Sequence, residues 1–315
     1  MDQIFSRIVG TGSYLPRTIW SNGDVATKVN TTDLWIRTMT GIRQRHVASF
    51  GESTTDMAAT AGAQALKAAG LAPSRLDLIV VATITPDLIF PSTAAMVQAR
   101  LSARHIGAFD LSAACSGFLN GLAIADGMIA AGRSKAALVI GAERMTDLLD
   151  WTERSTCVLF GDGAAAVVMV PSQTPGIMSA QMHADGSSPD LLRAPSKLTP
   201  YLHMDGGAVF KFAVRGLVEG GQEALRLNDM ASGDLDWVIP HQANLRIIEV
   251  SAKKLEIPIE RVIITVDKHA NTSAASIPLA LDDAVQGGKI TSGDKVLLLS
   301  VGGGFTWASC MIQWG

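Results

Sequence analysis

The sequence predicts an α/β protein made of two similar halves, and three observations support this prediction. Short runs rich in β-branched and aliphatic residues alternate with Ala-rich stretches that we expect to be helical. Hydrophobic residues make up 48% of the 315 residues, which is enough for a sizeable core. The chain also matches itself when it is shifted by 159 residues. The runs expected to form mainly buried strands cover residues 7–9, 76–82, 136–141, 164–170, 238–240, 262–266, 295–301 and 309–314.

The internal match pairs residues without a gap between the two halves. It places Leu138 over Leu297. It also places three consecutive residues of the first half, an alanine, a leucine and a basic residue, over three of the same kind in the second half. The identity is low, and Ala-rich α/β segments can also match by chance. If the halves pack as pseudo-twofold mates, their equivalent loops meet between them. We therefore predict an N-terminal half over residues 1–170 and a C-terminal half over residues 171–315.

Cys115 is the first candidate for chemistry. It follows a short apolar segment and precedes residues 118–131, which are apolar on nearly every face, as in a buried helix. At the start of a helix, backbone N–H groups and the helix dipole favour a thiolate, which is a nucleophile. The alternative is an inert buried cysteine, since free cysteines are among the most buried residues.

Two further polar residues are expected to join Cys115. The shift of 159 residues lays the Cys115 loop over the loop of Asn271, and His241 follows another predicted strand. A thiol beside an imidazole can carry an acyl group, and His and Asn donors can stabilise an oxyanion. Gly303 follows a strand and offers a backbone N–H. Each residue also has a structural alternative: a buried histidine, a helix cap for the asparagine, or a tight turn for the glycine.

Composition excludes several classes of protein. The net charge is -3, which argues against a general nucleic-acid binder. The three cysteines, Cys115, Cys157 and Cys310, are too far apart for a CxxC metal site or a disulfide framework. No stretch of 18 uncharged apolar residues indicates a membrane span. We expect a soluble cytoplasmic protein without a metal site.

Eight short motifs follow one another along nearly the whole chain. They are Trp35-Ile36, Thr40-Gly41-Ile42-Arg43, Phe90-Pro91-Ser92, Ala114-Cys115-Ser116-Gly117-Phe118, Phe160-Gly161-Asp162-Gly163-Ala164, Pro240-His241-Gln242-Ala243-Asn244, His269-Ala270-Asn271-Thr272-Ser273 and Gly302-Gly303-Gly304-Phe305-Thr306-Trp307. In order and spacing, the chain resembles the β-ketoacyl-[acyl-carrier-protein] synthase III family of thiolase-fold condensing enzymes. The resemblance implies an internally duplicated, five-layered α/β/α/β/α subunit that forms a homodimer and needs no cofactor beyond its acyl-CoA substrate.

The resemblance also implies a reaction. Cys115 takes the acyl group of an acyl-CoA primer, with acetyl-CoA the first choice, and the backbone N–H groups of Cys115 and Gly303 serve as oxyanion donors. Malonyl-acyl-carrier-protein then enters, and His241 and Asn271 bind its thioester carbonyl as CO2 leaves. The resulting carbanion attacks the acyl-cysteine. Malonate carries its own leaving carboxylate, so an asparagine suffices where related enzymes use a carboxylate base.

Binding residues follow from the same resemblance, as three groups. Coenzyme A is expected to bind Trp35, Arg154, Asn244 and Arg246, with Trp35 and Arg154 on the two faces of the adenine. Acyl carrier protein is expected to bind the second group, Lys211, Arg215, Arg246, Lys253 and Lys254. The acyl pocket is expected to be lined by Phe90 of a partner subunit, Met204, Phe210, Ala213 and Phe305. The two lysines of the second group can also belong to an ordinary solvated helix face. Met39 stands where the family commonly has an arginine, which puts the phosphate contacts of coenzyme A in doubt.

Other functions remain open at this point. A relative from secondary metabolism would keep the acyl-cysteine and pass the acyl group to another acceptor. The order Cys, His, Asn also describes papain-like cysteine hydrolases, although their Cys-flanking signature is absent and the α/β pattern does not suit their fold. A catalytically inactive binding module is a third alternative.

Overall fold

The computed structural model describes residues 4–195 and 200–315, and its core consists of two mixed sheets. Short pairs, β2 with β3 and β9 with β10, lie outside these sheets. The strands are β1 Phe5–Tyr14, β2 Thr18–Ser21, β3 Gln44–Val47, β4 Leu78–Ala82, β5 Gly107–Leu111, β6 Ala137–Arg144, β7 Asp162–Ser172, β8 Ile177–Ala184, β9 Leu192–Arg193, β10 His203–Met204, β11 Trp237–Pro240, β12 Lys295–Gly302 and β13 Thr306–Gln313. The helices are α1 Asn22–Ala26, α2 Asp33–Thr40, α3 Thr54–Ala68, α4 Thr93–Arg100, α5 Gly117–Ala130, α6 Arg154–Cys157, α7 Gly206–Leu227, α8 Leu245–Lys254, α9 Val266–His269 and α10 Ser276–Gln286.

The two sheets repeat one strand order. The first runs β1-β7-β6-β4-β5, and the second, read from its other edge, runs β8-β13-β12-β11. In each sheet one of the shared pairs is parallel, β4 with β6 and β11 with β12, and the other shared neighbours are antiparallel. Sheet 1 has one additional parallel strand, β5, at its edge. The halves therefore share one topology.

Five layers result from packing helices against these sheets. The side chains of α5 and α10, among them Phe118, Leu122 and Leu281, pack between the sheets. Helices α3 and α4 cover the outer face of sheet 1, and α7 and α8 cover that of sheet 2. Helix α5 is buried because its apolar residues face both sheets. The predicted five-layered, duplicated α/β fold is confirmed.

The 159-residue match also holds in local detail. One-turn 3-10 helices at Ala114–Ser116 and Ser273–Ala275 occupy equivalent places, each directly before a central helix. The first residue of each has a left-handed backbone, with φ of 48° at Ala114 and 50° at Ser273. Strand β7 ends at Ser172, and the predicted boundary between residues 170 and 171 stays a prediction.

The strand predicted at residues 262–266 is wrong. Only one bridge, between Val262 and Val238, joins this buried segment to β11. The side-chain oxygen of Gln242 accepts hydrogen bonds from the N–H groups of Thr265 and Val266 at 2.8 and 3.0 Å. These N–H groups therefore cannot form hydrogen bonds with a neighbouring β-strand. The chain turns into α9 instead.

Within residues 4–195 and 200–315, no helix is both long and apolar enough to cross a membrane.

Candidate active site

One cavity of about 610 Å³ lies where the two halves meet, and Cys115, His241 and Asn271 all line it. Each of the three residues is at most 9% exposed. Cys115 follows β5 and His241 follows β11, whereas Asn271 follows α9 and forms an isolated bridge with Phe160, so the expectation that Asn271 follows a strand is wrong. The walls around them are mostly apolar, so charges that develop in the cavity are poorly screened by water.

Cys115 stands at the start of α5, in the 3-10 turn that follows β5. The end of β12 approaches its backbone closely: a Cβ on Gly302 would lie 2.7 Å from the Cys115 nitrogen, so only glycine fits there. Burial raises the pKa of the Cys115 thiol to about 12, although a hydrogen bond with Ser273 acts in the opposite direction. This differs from the sequence expectation of a lowered thiol pKa. The resting thiol is protonated, and its proton must leave during any nucleophilic attack.

His241 is held by Ser276. Its Nδ1 lies 2.6 Å from the Ser276 Oγ, and its backbone N–H donates to the Leu299 carbonyl at 2.7 Å. Burial lowers the pKa of His241 to about 3, so the imidazole is neutral at physiological pH. The Gln242 N–H donates to the Ser276 Oγ at 3.4 Å, which favours donation of the hydroxyl proton to Nδ1. The second ring nitrogen, Nε2, then carries the proton that can serve a ligand.

Asn271 is held on both its backbone and its side chain. Its N–H donates to the Leu159 carbonyl at 2.9 Å, and its C=O accepts from the Gly161 N–H at 3.1 Å. Its Oδ1 accepts from the Ser273 N–H at 2.9 Å. Because the oxygen of the amide is occupied, the NH₂ group is the part that can donate to a ligand. Asn271 does not cap α10, which begins five residues later.

Sequence reasoning did not identify three residues of this site. Ser276, the first residue of α10, contacts His241, and Ser273, two residues after Asn271, contacts Cys115. Glu143, fully buried in β6, accepts a hydrogen bond from Ser273 at 3.0 Å. The signal for Glu143 was a carboxylate in a run that is otherwise apolar up to position 142.

The predicted coenzyme A residues lie at and beside the mouth of the cavity. Trp35, Asn244 and Arg246 line the cavity, whereas Arg154 lines a neighbouring surface groove shared with Trp35. The Arg154 guanidinium lies 4.6 Å from the centroid of the Trp35 ring. Stacked groups are roughly 3.5–4 Å apart, so an adenine between the two would need about 7–8 Å. Arg154 must therefore move before these side chains can hold an adenine between them.

Asn244 already has structural hydrogen bonds. Its Oδ1 accepts from the Arg246 N–H at 2.8 Å and caps α8, and its Nδ2 donates to the Met39 carbonyl at 3.1 Å. Met39 itself lines the cavity. One amide hydrogen of Asn244 remains for a ligand.

Four of the predicted acyl-pocket residues, Met204, Phe210, Ala213 and Phe305, line the cavity. Phe90 does not, and 84% of its surface is exposed in this chain. The five basic residues predicted to bind a carrier protein are exposed on two helices that pack against each other: Lys211 and Arg215 on α7, and Arg246, Lys253 and Lys254 on α8. Nowhere in the described chain do three or more His, Cys, Asp or Glu side chains converge as a metal site requires.

Comparison with known proteins gives one consistent result. The family model for 3-oxoacyl-[acyl-carrier-protein (ACP)] synthase III matches residues 109–186, and the model for its C-terminal part matches residues 225–314. The β-ketoacyl-[acyl-carrier-protein] synthase III of Xanthomonas campestris pv. campestris is 50% identical, and the alignment covers 99% of each chain. That of Alkalilimnicola ehrlichii is also 50% identical, with 98% of this chain and 99% of the relative covered.

Solved structures give the same fold. The crystal structure of 3-oxoacyl-[acyl-carrier-protein] synthase III from Aquifex aeolicus has a TM-score of 0.95 and 47% identity, covering 98% of this chain and 100% of that chain. The priming β-ketosynthase of the R1128 polyketide pathway has a TM-score of 0.95 and 39% identity, with coverages of 99% and 97%. Such full-length similarity argues against the cysteine hydrolase alternative.

Proposed function

The chain belongs to the 3-oxoacyl-[acyl-carrier-protein] synthase III family, and from this we propose that it condenses an acyl-CoA primer, acetyl-CoA in the first place, with malonyl-[acyl-carrier-protein]. The products are β-ketoacyl-[acyl-carrier-protein], coenzyme A and CO2, and the reaction initiates fatty acid synthesis. The observation that carries this proposal is the convergence of Cys115, His241 and Asn271 on one largely apolar cavity.

In the first half-reaction, the Cys115 sulfur attacks the thioester carbon of the primer and coenzyme A leaves. The developing oxyanion needs donors, and the backbone N–H groups of Cys115 and Gly303 are our candidates. The close approach of Gly302 to the Cys115 nitrogen supports this, because it brings the end of β12 against the start of α5. Met204, Phe210, Ala213 and Phe305 are proposed to contact the acyl chain.

In the second half-reaction, His241 and Asn271 stabilise the enolate that forms as malonyl thioester loses CO2. The neutral His241 ring and the free NH₂ group of Asn271 are both donors, as this role requires. Neither has to remove a proton, because the departing carboxylate leaves its electron pair on carbon. The carbanion then attacks the acyl group on Cys115 and expels the Cys115 thiolate.

Coenzyme A is proposed to enter along Trp35 and Arg246, with its adenine on the Trp35 face that Arg154 now covers. The exposed residues Lys211, Arg215, Arg246, Lys253 and Lys254 are proposed to attract an acidic carrier protein to the same mouth.

A homodimer is part of the proposal. Strand β5 forms an edge of sheet 1, where it pairs with β4 and with no other strand of the described residues, and Phe109 at its centre is 40% exposed. Ile89 and Phe90 are 97% and 84% exposed, which is unusual for large apolar side chains. A second copy that covers them would bring its Phe90 to the acyl pocket. The three free cysteines are compatible with the cytoplasmic location that we also propose.

A related role in secondary metabolism is the second candidate. The similarity to the R1128 priming β-ketosynthase, at 39% identity, favours it. Both candidates share the acyl-cysteine. They differ in the acceptor, so consumption of malonyl-[acyl-carrier-protein] from fatty acid synthesis separates them.

The test of the proposed function is transfer of radiolabelled acetyl groups from acetyl-CoA. We expect label that survives denaturation on the wild type and on a Cys157→Ala control, and no such label on Cys115→Ala. Addition of malonyl-[acyl-carrier-protein] should release the label as β-ketoacyl product. Stable label on Cys115→Ala, or no label on the wild type, contradicts the proposal.

A further inference from the structure

A buried carboxylate lies behind the nucleophile. Glu143 is 0% exposed, and no ion pair neutralises it among the described residues. Its Oε2 accepts from Thr85 Oγ1 at 2.6 Å, from the Ile84 N–H at 3.0 Å and from Thr83 Oγ1 at 3.2 Å. Its Oε1 accepts from Ser273 at 3.0 Å, its one partner among the described residues. The condensation described above gives this costly group no role.

Ser273 connects Glu143 to Cys115. The Cys115 thiol donates to the Ser273 Oγ at 3.5 Å, and the Ser273 hydroxyl donates to the Glu143 Oε1. Ser273 has a left-handed backbone, with φ of 50°, and its Oγ contacts both groups. The result is a continuous path for a proton from the sulfur to the carboxylate through one hydroxyl.

We propose that Glu143 is the proton acceptor for the Cys115 thiol, acting through the hydroxyl of Ser273, when the cysteine attacks an acyl-CoA thioester. This inference rests on the proposed function. Glu143 touches no substrate atom and works only through Ser273, whereas Ser273 contacts the reacting sulfur.

As the bond between Sγ and the thioester carbon forms, the thiol proton passes to the Ser273 oxygen and the Ser273 proton passes to Glu143. The bond between carbon and the coenzyme A sulfur then breaks, and the leaving thiolate takes a proton from water. In the second half-reaction the carbanion expels the Cys115 thiolate, which regains its proton from Glu143 by the reverse path.

Charge conservation favours this route. A buried site resists the creation of a second negative charge, and the Glu143 charge opposes thiolate formation directly. The relay moves the existing charge from the carboxylate to the sulfur and then to the departing thiolate. The acyl-enzyme therefore holds a neutral Glu143 when the malonyl carboxylate enters. Burial raises the pKa of Glu143 to about 7, against the effect of its hydrogen bonds, which suits a group that takes up and returns a proton near neutrality.

The experiment measures single-turnover acylation by radiolabelled acetyl-CoA as a function of pH. In the wild type we expect the rate constant to rise with pH and level off above about pH 7, as Glu143 becomes ionised. In Glu143→Gln we expect a rate roughly 10²-fold lower at neutral pH. Above neutral pH, the factor by which acylation by Glu143→Gln is slower than by wild type should shrink about tenfold per pH unit, because solvent then takes the thiol proton.

Ser273→Ala should show the same loss and the same pH profile, since it interrupts the path at its middle. Ala114, which has φ of 48° at the equivalent place, shows that alanine accepts this backbone. The double variant should be no slower than the slower single variant, because both changes break one path.

Thr85→Val is the matched control. It removes a hydrogen bond from the other oxygen of Glu143 and leaves both links of the path. Because that hydrogen bond lowers the pKa of Glu143, we expect the plateau to be kept and its midpoint to move to higher pH. Decarboxylation of malonyl-[acyl-carrier-protein], measured in a Cys115→Ala background, should fall at least about tenfold less in Glu143→Gln than acylation does.

Three results would overturn the relay: acylation by Glu143→Gln as fast as wild type or faster at neutral pH, a loss that is equal at every pH, or an equal loss of acylation and decarboxylation. If Glu143→Gln does not fold, Ser273→Ala decides by the same criteria. A wild type that takes no label contradicts the proposed function instead, so the two failures are distinguishable.

Discussion

The two equivalent turns of this duplicated chain share a backbone and differ in chemistry. Ala114 and Ser273 both have a left-handed conformation, and each begins a 3-10 turn before a central helix. In the first turn the next residue is Cys115, whereas in the second it is Ala274. Duplication supplied one geometry twice, and only one copy carries the nucleophile.

A second pair of equivalent positions, next to these turns, also differs in chemistry between the halves. The shift of 159 residues pairs Ala82 and Gly117 of the first half with His241 and Ser276 of the second. In the first half a Cβ on Gly117 would lie 3.0 Å from the Ala82 Cβ, so this pair is close and apolar. In the second half the same two places hold the hydrogen bond between imidazole and serine. The first half therefore presents the nucleophile, and the second half presents the side-chain donors of His241 and Asn271.

The largest effect should come from making the two turns alike. Cys115→Ala gives the first turn the residue that the second turn has, so the fold should persist while covalent acylation falls at least about 10³-fold. Single-turnover labelling with acetyl-CoA measures the loss, and thermal melting checks the fold. Substantial acylation of this variant would mean that another group is the nucleophile.

The next effect should come from giving the second half the residues of the first. His241→Ala reproduces Ala82, and Asn271→Ser reproduces Ser112. Each removes one donor from the enolate, so we expect malonyl decarboxylation to fall roughly 10²- to 10³-fold. Labelling of Cys115 should persist in both variants. If labelling fell as much as decarboxylation, the division between the halves would be wrong.

A smaller effect, on the free energy of unfolding, is expected from the contact that packs the second turn against sheet 1. A Cβ on Gly141 would lie 2.3 Å from the Ala274 carbonyl oxygen, so Gly141→Ala should lower the free energy of unfolding by about 1–3 kcal/mol. Gly127→Ala is the control, because that helical glycine has open space around it and should gain stability. Denaturant unfolding compares the two, and equal stabilities would contradict the close contact.

Most of the fold could be predicted from the sequence, because the alternation of strand-like and helix-like runs and the 159-residue match can both be found in short segments of sequence. Cys115 and His241 were predictable because strand ends converge in such a fold, and Asn271 because the internal match pairs its loop with that of Cys115. The strand at residues 262–266 was wrong because a distant glutamine side chain captures its N–H groups. The high pKa of Cys115 and the role of Ser276 escaped notice for a related reason: burial and partners 35 or more residues away are tertiary facts. The contact of Arg154 with Trp35 likewise depends on rotamers.

The smallest predicted effect comes from the hydrogen bond between Ser276 and His241. Ser276→Ala removes the hydroxyl that holds His241 Nδ1, and thus the bias that keeps a proton on Nε2. A hydrogen bond of this kind contributes roughly 0.5–1.5 kcal/mol, so we expect decarboxylation to slow by up to about tenfold. Cys115 labelling should not change, because the Ser276 hydroxyl bonds His241 and the Gln242 N–H and takes no part in the path through Ser273.

Ser300→Ala is the matched control for Ser276→Ala. Its hydroxyl is also buried, in β12, but contacts no partner within the described chain. It should leave decarboxylation within about twofold of wild type, as expected for a change that breaks no hydrogen bond. Equal slowing in both variants would mean that a small change of packing, rather than the tautomer of His241, controls the donor half of the site.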